Sequence, residues 1–392
     1  MQSVIPRDEI TFHPHSFGDP AGRLFRWNGE LYRGVAAEQA PFYARLFNDG
    51  VMQALGARGL FSESEVTNFA VDGFAMVVHH RTIPFPSYPN EWCGAMFKDA
   101  TLLVLRLALE LVEHGLILKD HHLWNVTFDA CHPVYVDLTS IVPRRNDACW
   151  PVYEKFCRYC LYPLLLIAAG HERIARHLMP DYEGAQRTET ELLTGNAPRS
   201  LRKLVGYRPK HTSSQPDYLK ELRDLIDQIE LPVASARKTE PPAALAKIVS
   251  TLRPRSLLDL GGCGVIAGVN AVSFDVDSAR VAQRYQEARE DRLPLLPLVM
   301  DFTKPTPSIG FGSHYSMAAS ERFQCEMVFA PANLLQAMRR HSLNCDQIGE
   351  GFASFTSRWL VVEDTGTLAG VLGKRFRRKE SPPGVELEVW ET

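Results

Sequence analysis

The spacing of apolar residues changes character partway along the chain. Arg23–Trp27 and Glu30–Val35 read as strands around Asn28-Gly29, a strong hairpin signal. Phe42, Leu46, Val51 and Leu55 recur at roughly helical spacing and predict a helix over Pro41–Leu55. Phe74–His80 reads as a buried strand, followed by an extended connector with prolines at 84, 86 and 89. Leu102, Leu105, Leu109 and Val112 share one face of a helix over Ala95–His114, with Gly115 as its C-cap. Leu116–Asp129 is strand-like around a polar loop, and Pro133–Asp137 is a further short strand. Tyr153–Gly170 predicts an apolar helix broken at Pro163. Gly206–Pro216 reads as a linker, Asp217–Glu230 as an amphipathic helix, and Leu231–Pro242 as a second break.

From Arg253 onward, short apolar strands alternate with helical segments. The strands are Ser256–Leu260, Ala271–Asp275, Leu295–Met300, Met327–Ala330 and Trp359–Glu363; the helices are Ser278–Arg289 and Asn333–His341. Such alternation predicts an open, doubly wound parallel sheet. The expected fold class is therefore α/β: an N-terminal α+β region over 1–205, a helical connector over 206–252, and a Rossmann-like domain over 253–392. A length of 392 residues accommodates that division, at roughly 150 residues per domain.

Composition narrows the function classes. Hydrophobic residues at 45% and charged residues at 23% suit a soluble globular chain. The 43 basic and 46 acidic side chains leave a net charge of −3, so bulk attraction to a polyanion is not expected, and no nucleic-acid partner is anticipated. Eight cysteines in a chain of this length make no disulfide scaffold, and the N-terminus carries no apolar leader segment. The longest apolar stretches are too short or too interrupted to span a bilayer. Together these give the expectation of a cytoplasmic protein without a membrane partner.

The second half carries a ligand-site pattern. Leu257-Leu-Asp259-Leu-Gly261-Gly-Cys-Gly264 is a strand ending in a glycine turn; Asp275 ends the next strand and Asp301 the third. Glycines let backbone approach a ligand at the carboxyl end of a strand, where open α/β sheets bind. A carboxylate at Asp275 can accept both hydroxyls of a ribose, and one at Asp301 can meet an adenine amino group. These residues, with Glu321-Arg322-Phe and Trp359-Leu-Val-Val-Glu363, resemble the class I S-adenosylmethionine (SAM)-dependent methyltransferases, and more narrowly a bacterial branch that includes rhizobial nodulation-type methyltransferases. The same branch resembles this chain at Leu-Lys119-Asp120…Asn125-Val, at Pro133-Val-Tyr-Val-Asp137, and at Phe156–Leu166. The resemblance implies SAM held by Asp259, Gly261, Gly264, Asp275 and Asp301, and a small-molecule substrate in biosynthesis of secondary metabolites. Departures from that pattern also carry expectations. Only ten residues, Gly261–Asn270, separate the first two strands, too few for a turn and a full crossover helix. The 140 residues from Arg253 to Thr392 are short for such a domain. After Glu363 a basic stretch, Lys374–Lys379, stands where helices are expected. A truncated domain with weakened or lost SAM binding follows, and with it a pseudoenzyme.

The first half holds a second constellation. Asp120, then Asn125 five residues on, then Asp137 after a short strand pair resembles the catalytic and metal-binding loops of kinases. Asp120 would take the proton of a substrate hydroxyl, Asn125 and Asp137 would hold Mg²⁺, and Arg33 stands where a phosphate-binding lysine is expected, with Glu38 as its candidate partner. Gly18-Asp-Pro-Ala-Gly22 is the nearest equivalent of a phosphate-covering loop. Mg-ATP-dependent phosphotransfer is thus the alternative activity. A non-catalytic protein partner of a related enzyme is the third reading, and homo-oligomerisation is left open. Cys157-x-x-Cys160 reads as buried structural thiols, Trp124 as packing, and Lys374–Lys379 as a solvated tail.

Overall fold

The computed structural model describes residues 3–13, 16, 18–144, 152–208, 214–232, 241–261, 266, 268–340, 343–363 and 368–392. It is a mixed α/β structure. The first half begins with five antiparallel strands: β1 (Thr11–Phe12), β2 (Gly22–Trp27), β3 (Glu30–Val35), β4 (Ser64–Val66) and β5 (Met76–His80), in the order β1-β2-β3-β5-β4. The β2–β3 hairpin turns on Asn28 and Gly29, both at positive φ (50° and 83°). That twist matches the strands it joins. The helix expected over 41–55 is divided into α1 (Ala40–Asn48) and α2 (Val51–Ala57), because Gly50 takes a left-handed φ of 76° between them.

The long helix α3 (Gly94–Glu113) forms as expected and is buried along most of its length. Two antiparallel pairs follow: β6 (Leu116–Leu118) with β9 (Ile141–Pro143), and β7 (Val126–Asp129) with β8 (His132–Tyr135). Between β6 and β7 lies the Asp120–Asn125 loop, and Asp137 sits just beyond β8. The break expected at Pro163 is absent, because the backbone stays helical from Tyr153 to Ala168. α4 (Tyr153–Phe156) runs through a π-turn at Cys157–Leu161 into α5 (Tyr162–Ala168), and the wider π-turn just before Pro163 accommodates its missing N–H. Cys157 and Cys160 are buried, and burial raises the Cys157 thiol to about 11, so both behave as packing. α6 (Gln215–Asp227) turns Leu219, Leu222 and Ile226 inward against α3.

The second half is built on seven strands: β10 (Ser256–Asp259), β11 (Asn270–Asp275), β12 (Leu295–Val299), β13 (Cys325–Ala330), β14 (Thr356–Val362), β15 (Arg377–Lys379) and β16 (Glu388–Glu391), in the order β12-β11-β10-β13-β14-β16-β15. The first five in this order run parallel; β16 is antiparallel to both its neighbours. Helices α7 (Ser278–Glu290), α8 (Ala332–Arg340) and α9 (Cys345–Phe355) make the crossovers. The link between β10 and β11 differs: among its described residues none is helical. The cations of the basic stretch Lys374–Lys379 are mostly exposed, as expected, but the stretch is not a free tail. Arg377–Lys379 is an edge strand whose cations face Glu388 and Glu391 across β16. A run of cations on an edge strand blunts it against pairing with another chain.

One continuous buried cluster runs from Val35 to Trp390, through both halves. Within it Arg322, from the second half, meets Glu91, from the first, and both side chains are fully buried. No helix among the described residues is long and apolar enough to cross a membrane.

Candidate functional site

Parallel pairing of β10, β11 and β12 brings Asp259, Asp275 and Asp301 to adjacent positions along one edge of the sheet, the carboxyl edge. Each acid has a distinct local task. Asp259 is buried, and its Oδ1 accepts the Gly261 N–H at 3.0 Å while its Oδ2 accepts the Ser273 hydroxyl at 3.4 Å. Asp275 is buried at the end of β11. Asp301 takes the Thr303 N–H at 2.8 Å and hydroxyl at 2.7 Å, fixing the turn that leaves β12. Gly261 is constrained from its other side: a Cβ there would lie 2.2 Å from Cγ of Pro331. This glycine is required by the ring that follows β13. Gly264 lies outside the described residues.

Sequence reasoning missed Arg280. It sits in the first turn of α7, and its guanidinium forks onto both oxygens of Asp275, at 2.7 and 2.6 Å. Arg284, one turn further along and buried, reaches the same carboxylate at 3.4 Å. The signal in the sequence was an acid ending a strand with arginines five and nine residues later. It becomes visible only once strand end and helix start are known to face each other.

A second concavity lies in the first half. A cavity of about 890 Å³ brings together Arg33, Asp120, Asn125 and Asp137, as their spacing implied, and adds Asp19. Ile309, Phe311 and Tyr315 of the second half form part of its wall. Arg33 is buried and donates to Asp19 at 2.9 Å and to the Thr139 hydroxyl at 3.3 Å, with Asp137 at 3.6 Å. Glu38, its expected partner, is exposed. Asn125 donates to the Tyr135 hydroxyl at 3.0 Å and faces Asp137 at 3.4 Å. Asp120 pairs with Lys155. Burial raises its carboxyl, but the Lys155 hydrogen bond and charge outweigh that and hold it below the ordinary value. His122, close by, is lowered to about 4 by burial and by Lys155. Asn125 and Asp137 thus meet as expected. Among the described residues no three or more His, Cys, Asp or Glu side chains are grouped as metal ligands. Trp124 packs between Tyr88 and Tyr315, ring centroids 5.4 and 5.2 Å away, as a packing residue.

The open α/β sheet thus carries three acids on its carboxyl edge, the edge at which sheets of this kind bind their ligands. No family model matches the chain. It is similar to the nodulation protein NoeA of Rhizobium meliloti (strain 1021), 25% identical over an alignment of length 377, with 81% of this chain and 77% of that protein covered. Among solved structures, an rRNA methylase from Escherichia coli is 14% identical, covering 58% of this chain and 74% of its own, with a TM-score of 0.27. The 16S rRNA methylase RmtB is 13% identical, covering 46% and 83%, with a TM-score of 0.26. Both of these are rRNA methylases, and on that finding the expectation of no nucleic-acid partner is corrected. Physically, a net charge near zero bears on bulk attraction alone and leaves a local contact surface open.

Proposed function

We propose that the chain is a SAM-dependent methyltransferase-family protein, with the cofactor at the carboxyl edge of the seven-stranded sheet. The observation carrying this reading is the sheet itself. Five parallel strands extended by an antiparallel pair, of which only the seventh strand is reversed, in the order third-second-first-fourth-fifth-seventh-sixth, place an acid at the end of each of the first three. The similarity to NoeA over most of both chains, and the motif resemblance at Asp259, Asp275 and Asp301, support it. In this reading Asp275 accepts the ribose hydroxyls, Asp301 the adenine amino group, and the turn shaped by Asp259 and Gly261 borders the methionine end. SAM supplies an electrophilic methyl group on a sulfonium. The residues of the chain have to position the acceptor lone pair in line with the methyl–sulfur bond and exclude water. The short β10–β11 link, with no helix among its described residues, favours weak cofactor binding. Small-molecule biosynthesis is the setting the resemblance implies.

We read residues 1–205 as kinase-like in layout: antiparallel sheet, proline-rich connector, long helix, then the Asp120–Asn125 loop and Asp137. Mg-ATP chemistry gains no support from the comparisons. In the cavity Asp120 already faces Lys155, and Asp137 already faces Arg33. Calorimetric titration with SAM tests the main reading. Saturable binding that disappears in Asp275→Ala and in Asp301→Ala is expected. Absence of SAM binding at millimolar concentration, with the chain co-purifying with a second enzyme, overturns it in favour of a non-catalytic partner.

A further inference from the structure

The carboxylate that would hold a ribose is already saturated. Oδ1 of Asp275 accepts the backbone N–H of Asp277 at 2.9 Å and Nη2 of Arg280 at 2.6 Å. Oδ2 accepts Nε of Arg280 at 2.7 Å and Nη1 of Arg284 at 3.4 Å. A carboxylate offers about four lone-pair positions, and all of them are used. A vicinal diol would approach in the same two-point manner as a guanidinium fork, one hydroxyl to each oxygen. Diol and guanidinium therefore compete for the same edge of Asp275.

The four donors are not equally displaceable. The Asp277 N–H is fixed by the turn that also makes the Asp277 side chain the N-cap of α7. Arg284 is buried, with its side chain 5% exposed. Arg280 is 40% exposed and has a second acid within reach, Asp277 at 3.6 Å, itself half exposed. Arg280 can leave Asp275 without losing an acidic partner, and Arg284 keeps the buried carboxylate neutralised when it does.

We propose that Arg280 is a built-in occupant of the diol position on Asp275: a nucleoside ligand binds by displacing its guanidinium toward Asp277, and Arg280 thereby sets the affinity of the site. This rests on the reading that the end of β11 holds a ribose. It adds a specificity residue to that site and gives a second physical reason for weak cofactor binding, independent of the short β10–β11 link.

Affinities for SAM and for adenosine, measured by titration on the full chain, test it. Arg280→Ala is expected to bind both about tenfold more tightly than the unmodified chain, the order of one two-point charged contact released. Arg280→Lys, which cannot fork, is expected to fall between them. The gain should vanish with 2′,3′-dideoxyadenosine, which has no diol. Equal or weaker binding by Arg280→Ala, with the unmodified chain binding SAM normally, overturns the role of Arg280 and leaves the site in place. No SAM binding by any of the three proteins overturns the site and this inference together.

Discussion

The acids on the carboxyl edge were legible one at a time, because each ends a run of apolar strand residues and strand ends are where polar side chains gather. Their partners were not. Asp275 reads as a free acceptor until α7 folds back and lays Arg280 across it. Gly261 reads as a ligand-facing glycine, whereas its closest constraint is the Pro331 ring, a contact between segments seventy residues apart. Histidine 80 is a similar case. In the sequence it is one of a pair, His79-His80; in the structure it is buried at the end of β5 with its Nδ1 on the Ser64 hydroxyl at 2.7 Å. Burial, with Arg33 and His79 adding repulsion, lowers it to about 3. A histidine whose folded pKa lies below its unfolded value binds its proton more readily in the unfolded chain. Its contribution is therefore complete above about pH 6.5 and is lost as pH falls from there toward 3. Between pH 7 and pH 5 this one group should cost about 2 kcal/mol of stability. Urea unfolding at the two pH values checks it, with His80→Gln expected to show a correspondingly smaller loss. Identical losses in the two proteins would remove His80 as the cause.

At the scale of elements, most of the alternation was visible. The five strands read in the second half start and stop within three residues of the apolar runs, and α3 and α7 follow their periodicity. What escaped were elements whose apolar residues are sparse or whose partners lie far away in sequence. β15 is a run of cations that reads as a tail; only Glu388 and Glu391 on the neighbouring strand make it part of a sheet. α9 was not anticipated, yet its start carries a local signal. Asn344 Oδ1 accepts the Gln347 N–H at 2.9 Å, and Gln347 Oε1 accepts the Asn344 N–H at 3.0 Å, a reciprocal capping box. Ile348, Phe352 and Phe355 then bury one face. Asn344→Ala is expected to lower stability by about 1 kcal/mol. The measurement is the midpoint of urea unfolding, and Asn344→Ser, which can still cap, should stay close to the unmodified chain. A loss in Asn344→Ser equal to that in Asn344→Ala would show that the cap is not the source.

Across the whole molecule, the linkers read from proline-rich sequence suggested separable units, and the packing joins them. Arg322 enters from the second half. Its guanidinium donates to Glu91 at 2.9 and 2.5 Å, to the Pro86 carbonyl at 2.8 Å and to its own half at the Met317 carbonyl, 3.1 Å. It also lies 4.1 Å from the centroid of the Tyr88 ring. Nearby, the Met317 N–H donates to the Tyr88 hydroxyl at 3.1 Å, and Tyr285 of α7 donates to Asp99 of α3 at 2.7 Å. The sequence could not show this, because Glu321-Arg322-Phe reads as a local motif and Glu91 lies in a connector more than two hundred residues away. Each charge is tolerated inside only because the other half supplies its partner. The two halves are therefore expected to unfold together: tryptophan fluorescence and far-ultraviolet circular dichroism should report a single coincident transition. Glu91→Ala leaves the Arg322 cation buried without its carboxylate, which costs about 3–5 kcal/mol. It should shift that one transition downward as a unit. Two resolved transitions in the unmodified chain, or a Glu91→Ala variant in which only one signal moves, would mean that the halves fold separately. In that case ligand binding at Asp275 could not be felt in the cavity around Arg33. Coincident melting instead makes the seven-stranded sheet and that cavity parts of one cooperative structure, so that a ligand stabilising either one raises the midpoint of both.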